Sequence, residues 1–386
     1  MNIKIYILLV LMFSFSIACK NQQDKGREQT EKAELQQASR LFIDLPERYN
    51  TPDGLAMAPD GSLILSVPNF NNEHLMEKGM IEEPSPPFMA RIDENNNIEP
   101  WYEFKEEDYH RETGKMGPMD AAYGPDGNLY VADMQIFYDD DHKSRLVRIN
   151  VENGEPTSMD VVVTGFNASN GVFWEDSVIY VTESVLSAED DTLISGVYAF
   201  TQQELLSNSP VILKPYEKGE GDEHLVLALV SDNHMGFGAD GVTFDDEGNL
   251  YTTLIEEGKI FKSTVDEDHK ATETVLWATD NDMLAPDGMI YDPGRERFYV
   301  ADFLNNAVHA IDKAGNVTTM QKNGDVTGEN GRLDQPAEVI LRGDDLIIVN
   351  MDMAWATEGL SVNTKVDGEY NLAYIPLDEF DITLME

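Results

Sequence analysis

The stretch Gly238-Ala239-Asp240-Gly241-Val242-Thr243-Phe244-Asp245-Asp246-Glu247-Gly248-Asn249-Leu250-Tyr251-Thr252-Thr253 reads as an acidic residue and a glycine, a short apolar run, an Asp/Gly turn and a second apolar run. Two β-prone runs joined by turn residues signal a hairpin. Related phrases begin at Pro52-Asp53-Gly54, Met119-Asp120, Asn170-Gly171, Pro286-Asp287-Gly288 and Pro336-Ala337-Glu338, which makes six copies along the chain. A third apolar run follows each hairpin, at 88–92, 145–149, 196–200, 259–262, 307–311 and 372–375. A fourth follows in five copies, at 98–104, 160–163, 225–230, 273–278 and 317–320. The sixth copy has no room for one, while an unassigned run at 41–45 precedes the first.

Six four-stranded units with one strand displaced to the other chain end predict an all-β fold, a six-bladed β-propeller closed by pairing of the N-terminal strand into the last blade. Such pairing removes the exposed edge at which the ring would open. Runs such as Leu129-Tyr130-Val131-Ala132 and Ile347-Ile348-Val349 are apolar on both faces, as blades stacked between neighbours require. A sandwich or a solenoid is the alternative.

The chain has 72 Asp and Glu against 27 Lys and Arg, a formal net charge of −45. A surface of that sign repels phosphate backbones, so no nucleic-acid partner is expected. A monomer with a small-molecule partner is a separate expectation. Its single cysteine, Cys19, excludes disulfides and cysteine-rich metal sites. A basic residue, Lys4, precedes an apolar run over 5–15 that is too short for a membrane span. Ser16-Ile17-Ala18-Cys19 resembles a bacterial lipobox with Ser where Leu is usual. The expected organisation is a lipoprotein-type signal peptide over 1–18, a polar tether over 19–40 that begins at a lipidated Cys19, and the propeller over 41–386. The expected location is the bacterial cell envelope, with membrane contact only through the lipid anchor.

Each repeat carries two kinds of acidic position. The later kind, as in Asp60-Gly61 and Asp126-Gly127, lies between two strands and is explained by turn conformation. The earlier kind comprises Asp53, Asp120, Asn170, Asp240, Asp287 and Glu338, each at the start of an innermost strand. In a propeller those six residues converge on one channel. Gathered carboxylates repel one another and lose hydration unless protons or a cation neutralise them. Oxygen ligands of this kind suit a hard cation such as Ca²⁺ or Mg²⁺. The competing reading is that they bond nearby backbone N–H groups.

With these motifs in view, residues 42–375 resemble the SMP-30/gluconolactonase superfamily, more distantly related to the paraoxonases and squid-type phosphotriesterases. The resemblance implies one divalent cation in the channel, Ca²⁺ before Mg²⁺, Mn²⁺ or Zn²⁺, and places its ligands on Asp53, Asn170 and Asp240, with Asp120 and Glu338 as further members. Asp53 stands where the family usually has Glu, and Met119 replaces the Asn of a second-blade pair. The resemblance also makes Asp240 the candidate general base or nucleophile. Loops expected to shape the substrate site run over 68–87, 133–144, 182–195 and 350–367. From them and the channel set come the candidate substrate contacts Asn69, Phe137, Tyr138, Asp287 and Trp355, and His234 before Asp240 is a candidate proton shuttle. The implied activity is a secreted or lipid-anchored metal-dependent hydrolase, a lactonase acting on a sugar lactone or similar ester. The alternatives are a non-catalytic propeller with a structural Ca²⁺ and a strictosidine-synthase-like propeller.

Overall fold

Successive apolar runs pair antiparallel into six small sheets. In the computed structural model, which describes residues 38–189, 191–217, 219–354 and 360–385, the first strand seen is β1 (Arg40–Asp44). Blade 1 is β2 (Leu55–Met57), β3 (Leu63–Val67), β4 (Phe88–Ile92) and β5 (Ile98–Glu103); blade 2 is β6 (Pro118–Tyr123), β7 (Leu129–Asp133), β8 (Ser144–Glu152) and β9 (Glu155–Phe166). Blade 3 contains β10 (Ser169–Glu175), β11 (Val178–Glu189) and β12 (Thr192–Thr201). A short β13 (Val211–Ile212) then adds in parallel to β9 of blade 2, before β14 (Leu225–Asp232) completes blade 3. Blade 4 is β15 (Ala239–Phe244), β16 (Asn249–Leu254), β17 (Lys259–Val265) and β18 (Ala271–Thr279); blade 5 is β19 (Pro286–Asp292), β20 (Arg297–Asp302), β21 (Ala307–Asp312) and β22 (Val317–Lys322). Blade 6 has β23 (Pro336–Arg342), β24 (Asp345–Asn350) and β25 (Asn371–Pro376), and its fourth strand is β1, antiparallel to β25. The fold is the six-bladed β-propeller with the expected closure, which begins one residue earlier than the sequence reading placed it.

The first strands touch in cyclic order, β2 to β6, β10, β15, β19, β23 and back to β2, so they line the channel. The core lies between blades. In β3, Leu63 and Leu65 pack with Ile347 and Leu372 of blade 6, while Ile64 faces the other way onto Leu129 and Val131 of blade 2. A strand with both faces buried needs an unbroken apolar run, which is why the repeats read that way. The turn acids do what turn acids do. Asp60 and Asp126 each accept the N–H two residues on, and Asp245 accepts those of Glu247 and Asn249.

One expected loop is absent. Residues 182–189 and 192–195 extend β11 and β12 as a long hairpin, because Ser187, Ala188 and Glu189 continue to pair with Ile194, Leu193 and Thr192 past a bulge. The connection over 68–87 contains a helical turn, Asn72–Glu77. The stretch from Met1 to residue 37, with Cys19 and the expected signal peptide, and also Trp355, lie outside the described residues.

The glycines after the channel acids hold the ring together. A Cβ on Gly171 would fall inside van der Waals contact of Asp240 O, and one on Gly241 inside that of Asp287 O. Overpacking of this kind costs about 1–3 kcal/mol. Gly241→Ala is therefore expected to lower unfolding free energy by about that amount in a urea titration, against little change for Gly324→Ala, where a Cβ meets open space.

Candidate active site in the channel

The channel residues are placed by breaks in strand pairing. In β6, β10, β15, β19 and β23 the register against the second strand slips where the acidic or amide residue sits: between Pro118 and Ala121, Ser169 and Val172, Ala239 and Val242, Pro286 and Met289, and Pro336 and Glu338. A bulge turns a side chain out of the normal alternation. In three blades a hydroxyl from the second strand braces the segment that carries the channel residue. Gly54 N–H donates to Ser66 Oγ (2.8 Å), Gly171 N–H to Thr182 Oγ1 (2.6 Å) and Gly241 N–H to Thr253 Oγ1 (2.7 Å). Thr253 also donates to Asp287 O of the next blade (3.1 Å). The equivalent residues elsewhere are Ala132, Ala301 and Val349, paired one position before the ends of β7, β20 and β24. The braced blades 1, 3 and 4 are those that carry Asp53, Asn170 and Asp240.

Those three residues are 7%, 7% and 5% exposed, at the bottom of a narrow cavity of about 50 Å³ that Asp287 also lines. Asn170 Nδ2 donates to Asp240 Oδ2 (2.8 Å), which leaves the amide oxygen for a ligand. Asp240 and Asp287 share a hydrogen bond. Asp120 and Glu338 behave differently. Asp120 accepts Ala121 N–H and Val172 N–H (both 2.7 Å), Glu338 accepts Val339 N–H (2.7 Å), and both line the opposite end of the channel with Trp174 and Ile290. The expected ligand set is thus split by depth, with Asp53, Asn170 and Asp240 on one cavity and Asp120 and Glu338 on the other.

Burial dominates the electrostatics. It pushes Asp240 up to about 6, against the opposing hydrogen bond with Asp287, and Asp120 up to about 7. It raises Asp53, Asp287 and Glu338 well above the ordinary carboxylate range, and neighbouring carboxylates add to the shift of these three and of Asp120. Two carboxylates and an amide offering oxygen form a hard donor set, and among the described residues no His or Cys lines the cavity, so the residues fit Ca²⁺ or Mg²⁺ better than Zn²⁺.

The walls are apolar. Met119, Met134, Met351 and Met353 stand around the acidic floor with Phe237, Ile255 and Phe303. Phe137 joins them, edge-on to Phe70 (5.0 Å) and near Phe237 (5.7 Å). The sequence reading missed this wall. A usable signal was periodic, since Met134, Ile255, Phe303 and Met351 each directly follow a second strand. Other expected contacts fall elsewhere. Asn69 is buried as a bracket, accepting Asn50 N–H and donating to Pro86 O, and Tyr138 packs against Phe70 outside the cavity lining. The His234 ring is 64% exposed and 3.7 Å from Asp232, while its loop sends Met235 and Phe237 to the cavity instead.

A six-bladed propeller with an oxygen-lined channel floor under hydrophobic walls defines the class. Residues 89–276, just under half of the chain, match the model of the SMP-30/Gluconolactonase/LRE-like region. The span includes Asp120, Asn170 and Asp240 and leaves out Asp53, Asp287 and Glu338. Among solved structures the fold is similar to that of a PQQ-bound aldose sugar dehydrogenase from Streptomyces coelicolor (16% identity, 87% of this chain and 97% of that one, TM-score 0.52). It is also similar to a gluconolactonase from Xanthomonas campestris (12%, 87% and 91%, TM-score 0.50) and to a luciferin-regenerating enzyme (10%, 87% and 94%, TM-score 0.53). At these identities the likeness shows the fold. No curated protein sequence matches the chain.

Two measurements check the site. Thr253→Val removes the acceptor for Gly241 N–H and the donor to Asp287 O, and a buried group left unsatisfied costs about 1–3 kcal/mol, read by chemical denaturation. The pH dependence follows from the raised carboxyls. Their contribution to cation-free stability is full below about pH 4 and is lost as pH rises through about 6 to 7, because the folded state then holds protons that the unfolded state has released. A cation that binds the ionised forms offsets that loss, so the rise in Tm on adding Ca²⁺ should be larger at pH 7.5 than at pH 5. Equal rises at both would contradict the electrostatic account.

Proposed function

We propose that the chain is a divalent-cation-dependent hydrolase of lactones or related esters, with Ca²⁺ held by Asp53, Asn170 and Asp240. The observation that carries this reading is the joining, in one cavity, of a buried oxygen donor set to a wall of methionine and phenylalanine. That wall offers a sugar ring few hydrogen-bond partners above the floor. It favours a lactone or ester with an apolar substituent over a polyhydroxylated sugar lactone.

When bound, the cation supplies Lewis-acid polarisation of the ester carbonyl. The protein's own groups handle the proton. A carboxylate that ligates a cation is a poorer base alone, and the hydrogen bond between Asp240 and Asp287 makes the two act as one proton-holding unit. Water adds to the acyl carbon as its proton passes to this pair, the C–O bond to the alcohol breaks, and the pair returns the proton to the departing oxygen. Asn170 Nδ2 fixes Asp240 for that exchange, and the methionine and phenylalanine walls keep bulk water away. The N-terminal reading stands beside this as a proposal: Cys19 carries a lipid anchor that holds the propeller at the bacterial envelope.

The test is hydrolysis by purified protein, with Ca²⁺ and with chelator, of an alkyl-substituted lactone, an aryl ester and an aldonolactone. The expected result is Ca²⁺-dependent turnover, higher kcat/KM for the apolar substrates, and a loss of at least about 100-fold in kcat for Asp240→Asn. Ca²⁺ binding without turnover of any of the three would sink the hydrolase reading and leave a ligand-binding propeller.

A further inference from the structure

Outside the channel, a group of carboxylates meets with no basic side chain of the described residues paired to it. Among the described residues, Asp334, Asp352 and Asp367 each offer an oxygen, and these oxygens lie within 4.8 Å of one another. They come from three segments of blade 6: the approach to β23, the residue two past the end of β24, and the connection that leads to β25. Asp334 and Asp352 are each 1% exposed.

Proximity alone would not make a site. Here a separate observation points to a missing partner. Asp334 Oδ2, Asp352 Oδ1 and Asp367 Oδ2 are all buried and none has a hydrogen-bond partner. Buried carboxylate oxygens are nearly always bonded, and three orphaned together ask for a shared ligand of positive charge. The other oxygens are used. Asn363 Nδ2 donates to Asp334 Oδ1 (2.5 Å) and Asp367 N–H to Asp352 Oδ2 (3.3 Å). The charges felt most by Asp334 and Asp352 are those of further aspartates, Asp367 and Asp325 on the one and Asp334 and Asp367 on the other. These neighbours add to burial in holding both carboxyls above their ordinary range.

We infer that Asp334, Asp352 and Asp367 form a second divalent-cation site, separate from the channel. Three carboxylates from irregular connections, whose remaining coordination positions water can fill, suit Ca²⁺ better than the stricter octahedron of Mg²⁺. The site is placed to act on the channel. Asp352 lies between Met351 and Met353, both of which line the channel cavity. Asp352 O also accepts from Asn71 Nδ2 (2.7 Å), which bonds Tyr370 Oη as well (2.7 Å), and Ala354 N–H donates to Asn71 Oδ1 (2.8 Å). Those bonds cross the seam at which blade 6 meets blade 1. A cation here fixes the methionine wall and the closure of the ring at one point.

The experiment counts Ca²⁺ by calorimetric titration of the whole protein at pH 7.5 in four forms: wild type, Asp53→Asn/Asp240→Asn, Asp352→Asn, and all three substitutions together. The expected counts are two, one, one and none, with Ca²⁺-induced Tm rises that follow them. Wild type binding one ion, lost in the channel variant but kept in Asp352→Asn, would overturn the second site and leave the channel reading intact. The reverse pattern, one ion lost only with Asp352→Asn, would support the second site while overturning the channel reading. No binding in any form would overturn both. Should Asp352→Asn fail to fold, Asp367→Asn at a half-buried position gives the same count, and affinity unchanged within about tenfold in that variant would count against the site.

Discussion

Neighbouring first strands come together around the channel as closely as backbone allows. Gly54 lies against Asp120, Gly171 against Asp240 O and Gly241 against Asp287 O, at distances that leave no room for a side chain. Strands so close cannot keep ordinary pairing with their own second strands, and the slipped register at the acidic residue is the local consequence. The glycine's amide hydrogen is left to be bonded, and Ser66, Thr182 and Thr253 supply the acceptor. One steric requirement thus accounts for the glycine, the hydroxyl one strand away and the inward acid between them.

The charge of this protein sorts into two physically distinct populations. Turn acids such as Asp60, Asp245 and Asp312 accept backbone N–H groups and sit below the usual carboxylate range, so ionisation stabilises them. Channel acids are buried with one another and lie above it. The first population folds hairpins. The second gains from anything positive that enters the channel, and its position at the floor of an apolar cavity strengthens that attraction by excluding water.

Much of the architecture was legible because a propeller is written as a repeat. Six hairpin phrases, a third strand after each and a spare strand at 41–45 were enough to place the blades and their closure. The long hairpin over 182–195 was not legible, since its residues carry the polar composition of a loop and form strands because the partner strand lies beside them. The site was legible in part. Asp53, Asn170 and Asp240 shared a position in the repeat, but so did Asp120 and Glu338, and only depth in the channel separates the two groups. The hydroxyls at Ser66, Thr182 and Thr253 would have made that division from sequence. Met119, read as a lost polar partner, is instead part of a continuous apolar wall.

By itself the sequence determined the number of blades, their strand order, the turns and the residue types that face the channel, because each follows from local periodicity and turn chemistry. The tertiary structure decided which of those residues share a cavity, that His234 stays outside it, and that Asp334, Asp352 and Asp367 meet at the seam. The reason is geometric. Periodicity assigns a side chain to a face of its own strand, whereas a site depends on how far strands from different blades rise along a common axis. That height is set by bulges and by contacts between blades, which no single repeat contains.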